Sequence, residues 1–389
     1  MQLGRRASGV GRRPAGIAIV VVVLAAGAAH ADGVVEARTI YYKETSTRVV
    51  QPMLDGMFDA GARGAVDAHL LVDAVSSASA GAGTGNAQVF SKQRYEAGGG
   101  YTHEWDGADW VDKLRLRGEG RASDEPDYRS FYAGGRAEAD LAQKNASIGL
   151  GGGIMHDKRD LTDRESALND LKIQCEGEAT ANSVSCPLLT YMASASYSQI
   201  VSKNAVVGAT YDFAYLDGYQ ANPYRTALTA TGLVSEKHPF TRVRNAVAVS
   251  GRYYISDTET TVIAGYRYYH DDWQITAHTP ELRIVQQAGR DIDATLAYRY
   301  YWQSASFFYE TKYPDPETMP LLYYTGDPKM SAFDSHLIEG KLGVLGHAFD
   351  LDGVWSRARF EAILEYVVQH NAFGNAGVAH VAVTVPFDY

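Results

Sequence analysis

The chain has 389 residues, among them 38 Gly and 26 Tyr but only 2 Cys, with a formal net charge of −10 and a mean hydropathy of −0.24. That acidic balance argues against general nucleic-acid binding, and past the N-terminus no stretch approaches the ~20 apolar residues that a spanning helix needs. A membrane protein of this composition has to be a β-barrel, whose twisted strands and interfacial aromatics suit the glycine and tyrosine excess.

The first 31 residues read as a signal peptide. Arg5, Arg6, Arg12 and Arg13 precede an apolar run over 16–29, and Ala29-His30-Ala31 has the small-residue spacing of a cleavage site before Asp32. Removing the four arginines takes the net charge from −10 to −14. The Arg-Arg pairs lack the pattern of a twin-arginine signal, and a barrel must cross the inner membrane unfolded.

Residues 37–58 are mixed in character, and the expectation is an N-terminal periplasmic arm or plug over 32–62, ahead of a barrel over 63–389. Alternation becomes clear at Val66, Ala68, Leu70, Val72 and Ala74, with Asp67, His69 and Asp73 interleaved. Lys113, Arg115, Arg117, Glu119 and Arg121 then alternate with Leu114, Leu116, Gly118 and Gly120. Arg136, Glu138 and Asp140 alternate with Ala137, Ala139 and Leu141, and Arg359, Glu361 and Glu365 with Phe360, Ala362, Leu364, Tyr366 and Val368.

Strands are predicted at 64–77, 88–105, 110–123, 128–142, 145–157, 188–202, 204–219, 241–256, 258–272, 273–286, 289–308, 331–346, 355–370 and 376–389. They are longer than soluble strands and ample for the ~9–11 tilted residues that cross a bilayer. The predicted class is all-β, an antiparallel transmembrane β-barrel of about 14 strands, or 16 if two more lie near the start. A soluble periplasmic β-protein would alternate in the same way. Loop lengths favour the barrel, because the three long connections, 158–187, 220–240 and 309–330, fall on one side, as extracellular loops do.

Two echoing segments, Ala264-Gly-Tyr-Arg-Tyr-Tyr-His270 and Leu296-Ala-Tyr-Arg-Tyr-Tyr-Trp302, place Tyr266, Tyr268, Tyr298, Tyr300 and Trp302 on the lipid side as an aromatic girdle. A stacking platform for sugar or flavin is the competing reading. The final stretch sets Gly377, Ala379, Val381, Val383, Val385, Phe387 and Tyr389 on one face and His380, Thr384 and Asp388 on the other. Val381, Val383, Val385, Phe387 and Tyr389 are expected to carry the signal for the barrel-assembly machinery.

Cys175 and Cys186, exported and with ten residues between them, are expected to form a loop disulfide worth about 2–3 kcal/mol. The 11 His form no H-E-x-x-H motif, no G-x-S-x-G is present, and the acidic runs at 124–127 and 313–317 lack a calcium-loop rhythm. Hence no catalytic residue, metal or cofactor is expected. Arg115, Arg117, Glu119, Arg136, Arg267, Arg299, Arg357, Arg359 and Glu361 are assigned to the lumen, where they neutralise one another across strands or line a path. The reading is a monomeric outer-membrane barrel, contacting lipid and not nucleic acid, that passes a small polar or anionic solute or scaffolds a partner. An enzyme at the extracellular rim, using His270, Asp271 and Asp272, is the alternative.

Tyr41-Tyr42-Lys43-Glu44 with Arg48-Val49, Asp73-Ala74-Val75-Ser76-Ser77-Ala78-Ser79 and the aromatic C-terminus carry a resemblance. On these motifs the mature chain resembles a family of Gram-negative outer-membrane β-barrels known only as a domain of unknown function. Members are often encoded beside a flavin transferase and a thioredoxin-like protein, so the resemblance implies a periplasmic redox or flavin-linked partner and localisation in the cell outer membrane. It supplies no catalytic residues, and the second motif departs from the usual glycine-proline ending.

Overall fold

Long strands with one apolar face can satisfy every backbone N–H and C=O in an apolar surrounding only by closing into a ring without edges. The structure, a computed structural model, describes residues 32–45, 47–78, 89–108, 110–162, 178–179, 183–222, 225–318 and 320–387. Among them sixteen long antiparallel strands close into one barrel. These are β1 (Gly33–Lys43), β2 (Thr47–Asp59), β3 (Gly64–Ala78), β4 (Val89–Asp106), β5 (Val111–Glu125), β6 (Tyr128–Leu141), β7 (Ala146–Thr162) and β8 (Ser183–Ser202). The second half comprises β9 (Ala205–Gly218), β10 (Thr241–Ile255), β11 (Thr260–Asp271), β12 (Thr276–Ala288), β13 (Ile292–Gln303), β14 (Phe333–Leu345), β15 (Arg359–Gln369) and β16 (Ala376–Phe387).

All fourteen predicted strands are present, and the N-terminal segment is the correction. Residues 33–59 are neither arm nor plug. β1 pairs with β2 and closes the ring against β16, in register from Gly33↔Phe387 to Lys43↔Gly377. Their alternation is weak in sequence because the inward face of this hairpin is itself partly apolar. Val34 and Ile40 on β1, with Val49, Met53 and Met57 on β2, point the same way as Glu36, Arg38 and Asp55. Pro386 pairs with Val34 but lies beyond the β15 ladder, which stops at Thr384↔Arg359, a place where a missing N–H is tolerated.

The two faces are chemically opposite. Leu70, Leu116, Phe131, Ile154, Val249, Leu282, Leu296, Ile338, Leu364 and Val381 are exposed on the outside, while Arg117 with Asp67 and Glu119, Arg283 with Glu339, and Arg359 with Glu361 form ion pairs on the inside. An apolar outer belt around a polar lumen is what lipid on one side and water on the other select. The chain is a membrane-spanning β-barrel of the outer-membrane type. Short turns and one longer connection, 346–358, lie at the rim holding both ends of the described chain; at the extracellular rim, the described residues of 219–240 and 304–332 belong to long connections. The signal-peptide assignment, Cys175 with its expected pairing, and Tyr389 lie outside the described residues.

The lumen and its extracellular lid

One wall of the lumen, β3 to β6, is an ion-pair ladder. Arg94 reaches Asp73 at 2.9 Å, Arg121 reaches Glu96 at 3.4 Å, Arg115 meets Glu138 at 2.8 Å and Asp140 at 2.6 Å, and Lys113 pairs with Glu104. The opposite wall repeats this with Arg283–Glu339 at 3.1 Å, Lys341–Glu361 at 2.6 Å and Arg359–Asp293 at 2.5 Å. Asp73, Asp140, Asp293 and Glu339 are buried and most of the cations facing them are half-buried, so desolvation offsets much of the attraction and the pairs serve to neutralise the wall more than to stabilise it.

A single geometric device recurs three times. Arg117 donates from Nε to Glu119 at 2.8 Å, then passes over Gly100 of the next strand to Asp67 two strands away, with Nη2–Oδ2 at 2.9 Å. Arg359 does the same with Glu361 and, across Gly343, with Asp293. Arg136 bonds Glu138 and, across Gly149, Ser196 at 2.9 Å. In each case the glycine sits opposite the glutamate of an R-x-E triplet. A Cβ at Gly100 would lie 2.6 Å from Arg117 Nη2, so only glycine leaves the path open. Replacing Gly100 by Leu is therefore expected to lower stability by about 1–3 kcal/mol. Gly118→Leu, on the outer face with nothing within 4 Å, should have little effect; urea titration of the folded barrel reads the contrast.

Between β6 and β11 the wall is thin, with Gly151, Gly153, Ser194, Ala214 and Ala246 facing inward. There a cavity of about 510 Å3 opens beside Tyr132, Arg136, Asp212, Arg244, Arg267 and Tyr269. It shares Glu119, Tyr132 and Met192 with a second of about 520 Å3, and Arg136 with a third of about 310 Å3. The cations here are poorly matched. Among the described residues Arg267 pairs only with Asp212, 3.7 Å away and half-exposed. Arg244 is half-buried, its Nε has no hydrogen-bond partner, and among the described residues neither Arg244 nor Arg299 forms an ion pair.

Above this passage the extracellular connections fold inward as a lid. Gln303, inward on β13, donates to the carbonyls of Lys329 and Ser331, and Arg159, inward on β7, donates to Ala221 O at 2.7 Å. The buried Tyr313 hydroxyl knots one connection together, meeting Phe308 O at 2.8 Å, Thr325 O and N at 3.0 Å and Glu310 N at 2.9 Å. Glu236, fully buried, joins the two connections by accepting from Thr325 Oγ1 at 2.7 Å and Gly326 N at 2.8 Å. Burial raises its carboxyl pKa, against the pull of those donors. His238, packed between Trp273 and Phe308, is pushed by burial down to about 4 and stays neutral at physiological pH. Arg225 pairs with Asp327 and lies over Phe373, which brings the β15–β16 connection into the same cluster.

Of the residues assigned to the lumen, Arg115, Arg117, Glu119, Arg136, Arg267, Arg299, Arg359 and Glu361 lie on the inner face. Arg357 does not. It caps a 3-10 turn (Gly353–Ser356) at the periplasmic rim, because the connection before β15 is longer than the alternation suggested. Tyr266, Tyr268, Tyr298 and Trp302 are exposed on the outer face, and Tyr300 shares that face half-buried beside His336. Val381, Val383, Val385 and Phe387 line the outer face of β16. His270, Asp271 and Asp272 do not converge: His270 faces outward near Thr276, Asp271 is buried inward against Arg242 and Tyr269, and Asp272 accepts from Val243 N. The lid residues Glu236, His238 and Tyr313 were not singled out as site residues in the sequence, since their burial arises from loops meeting only in the closed ring.

The family model described as "Protein of unknown function (DUF3570)" matches residues 86–377, most of the chain. The chain belongs to this family. None of the curated proteins matches this DUF3570 member. Among solved structures it is similar to a bacterial polysaccharide outer membrane secretin, with 9% identity, a TM-score of 0.50, and coverage of 93% of this chain and 99% of that one. It is also similar to OccK3 (OpdO) of Pseudomonas aeruginosa, with 10% identity, a TM-score of 0.46, and coverage of 92% and 95%. At such identity the first likeness speaks for the fold alone, and the second carries no further argument.

Proposed function

We propose that this barrel is a lidded passage for a small polar solute bearing negative charge. The observation that carries the reading is the cavity beside Arg136, Arg244 and Arg267, where guanidinium groups exceed carboxylates while the ladders on either side are matched. A buried guanidinium edge without a protein partner is a ready donor for a carboxylate or phosphate oxygen. Charge on the solute rather than its size would set the preference, since a ring of fixed cations lowers the barrier for anions. The lid above restricts entry from the extracellular side.

Reversal potentials in a salt gradient test this. The wild type is expected to favour anions, and an Arg244→Ala, Arg267→Ala double variant should shift the reversal potential toward cations with the barrel still folded. Equal selectivity in the two proteins would remove the arginine cluster from the account.

A further inference from the structure

We propose that Asp334, His336 and His370 form a binding site for a divalent transition-metal ion on the outer face of the barrel, at its extracellular rim. His336 and Asp334 stand two residues apart on β14 and so share a face, and His370 follows β15 directly. The pairing of these strands brings residues 36 apart in sequence into contact: His370 N donates to Asp334 O at 3.0 Å. One donor atom from each side chain lies within 4.8 Å of the others. Asp334 Oδ2 is 2.8 Å from His370 Nδ1 and 3.5 Å from His336 Nε2. Ligands on one tetrahedral ion, bound at ~2.0–2.2 Å, are about 3.4 Å apart, so side-chain shifts on the order of an ångström would complete the set.

Two imidazoles and one carboxylate suit zinc, nickel or copper and disfavour magnesium or calcium, which want oxygen ligands. The second ring nitrogen of His336 is already engaged: Tyr298 Oη lies 2.8 Å from its Nδ1, an outer partner that orients a metal-binding imidazole and leaves Nε2 facing Asp334. A comparison lies within the same face. His278 carries an equivalent tyrosine, Tyr266 Oη at 2.5 Å, but among the described residues it belongs to no group of three such ligands. The tyrosine–histidine pair is thus a feature of the girdle, and the added Asp334 and His370 make the site.

The test is zinc titration of the folded, tag-free mature protein in detergent, read by competition with a chromogenic chelator, with cobalt absorption as a second signal. The wild type should bind about one equivalent, and His336→Ala or His370→Ala should weaken binding about tenfold or more, with Tyr298→Phe losing up to about tenfold. His278→Ala should bind as the wild type does, and excess magnesium should not displace zinc. Heat-modifiable migration confirms that each variant is folded. The proposal is overturned if the His336→Ala, His370→Ala double variant binds zinc as tightly as the wild type, if magnesium displaces zinc, or if the wild type takes up none.

Discussion

Arginine at Val381 should abolish membrane assembly of most of the protein, and arginine at the adjacent His380 should be tolerated. Val381 sits midway along β16, outward, 60% exposed, paired with Thr39 on one side and Ala362 on the other. A cation there meets hydrocarbon and costs about 2–4 kcal/mol at the bilayer midplane. His380 points into the lumen with Nε2 3.6 Å from Glu365 Oε1, so an arginine at this place gains a carboxylate. The fraction of heat-modifiable protein in outer-membrane preparations reads both variants. Equal assembly of the two would mean that β16 does not present these faces to lipid and lumen.

Deletion of residues 33–59 should remove the folded barrel. The hairpin β1–β2 holds two ladders at once, eleven register positions against β16 and another eleven against β3. It also carries inward contacts, with Thr384 Oγ1 donating to Glu36 at 3.0 Å and Asp55 meeting His69 at 2.5 Å. Without it, β16 and β3 become open edges in lipid, each unpaired backbone group costing several kcal/mol. A plug would behave in the opposite way, since its loss leaves migration unchanged and widens the pore. Retention of the heat-modifiable band after this deletion, with a larger conductance, would return residues 33–59 to the lumen.

The strands were legible because lipid on one face and water on the other force a period of two, visible at Val66–Ala74 or Phe360–Val368 without any structure. Where the inward face is apolar, as at Met53 and Met57, that signal fades, and for this reason the first two strands are legible only as the sixteen-strand alternative. R-x-E triplets are visible in sequence, but the glycine each arginine crosses depends on cross-strand register, which no local pattern encodes. The His336–His370 juxtaposition is hidden likewise by the hairpin between them. Arg357 shows the reverse error, an alternation carried past the end of its strand into a turn.

The central claim, that the lumen is a passage closed at one end by a lid, is tested most directly by single-channel recording of the wild type beside Tyr313→Ala. Tyr313 ties Phe308, Glu310 and Thr325 together within the lid, and its loss leaves buried backbone groups unpaired at about 1–3 kcal/mol each. The account predicts small unitary currents in the wild type and currents about twofold larger, or more frequent openings, in the variant. Absence of current in both folded proteins would contradict it.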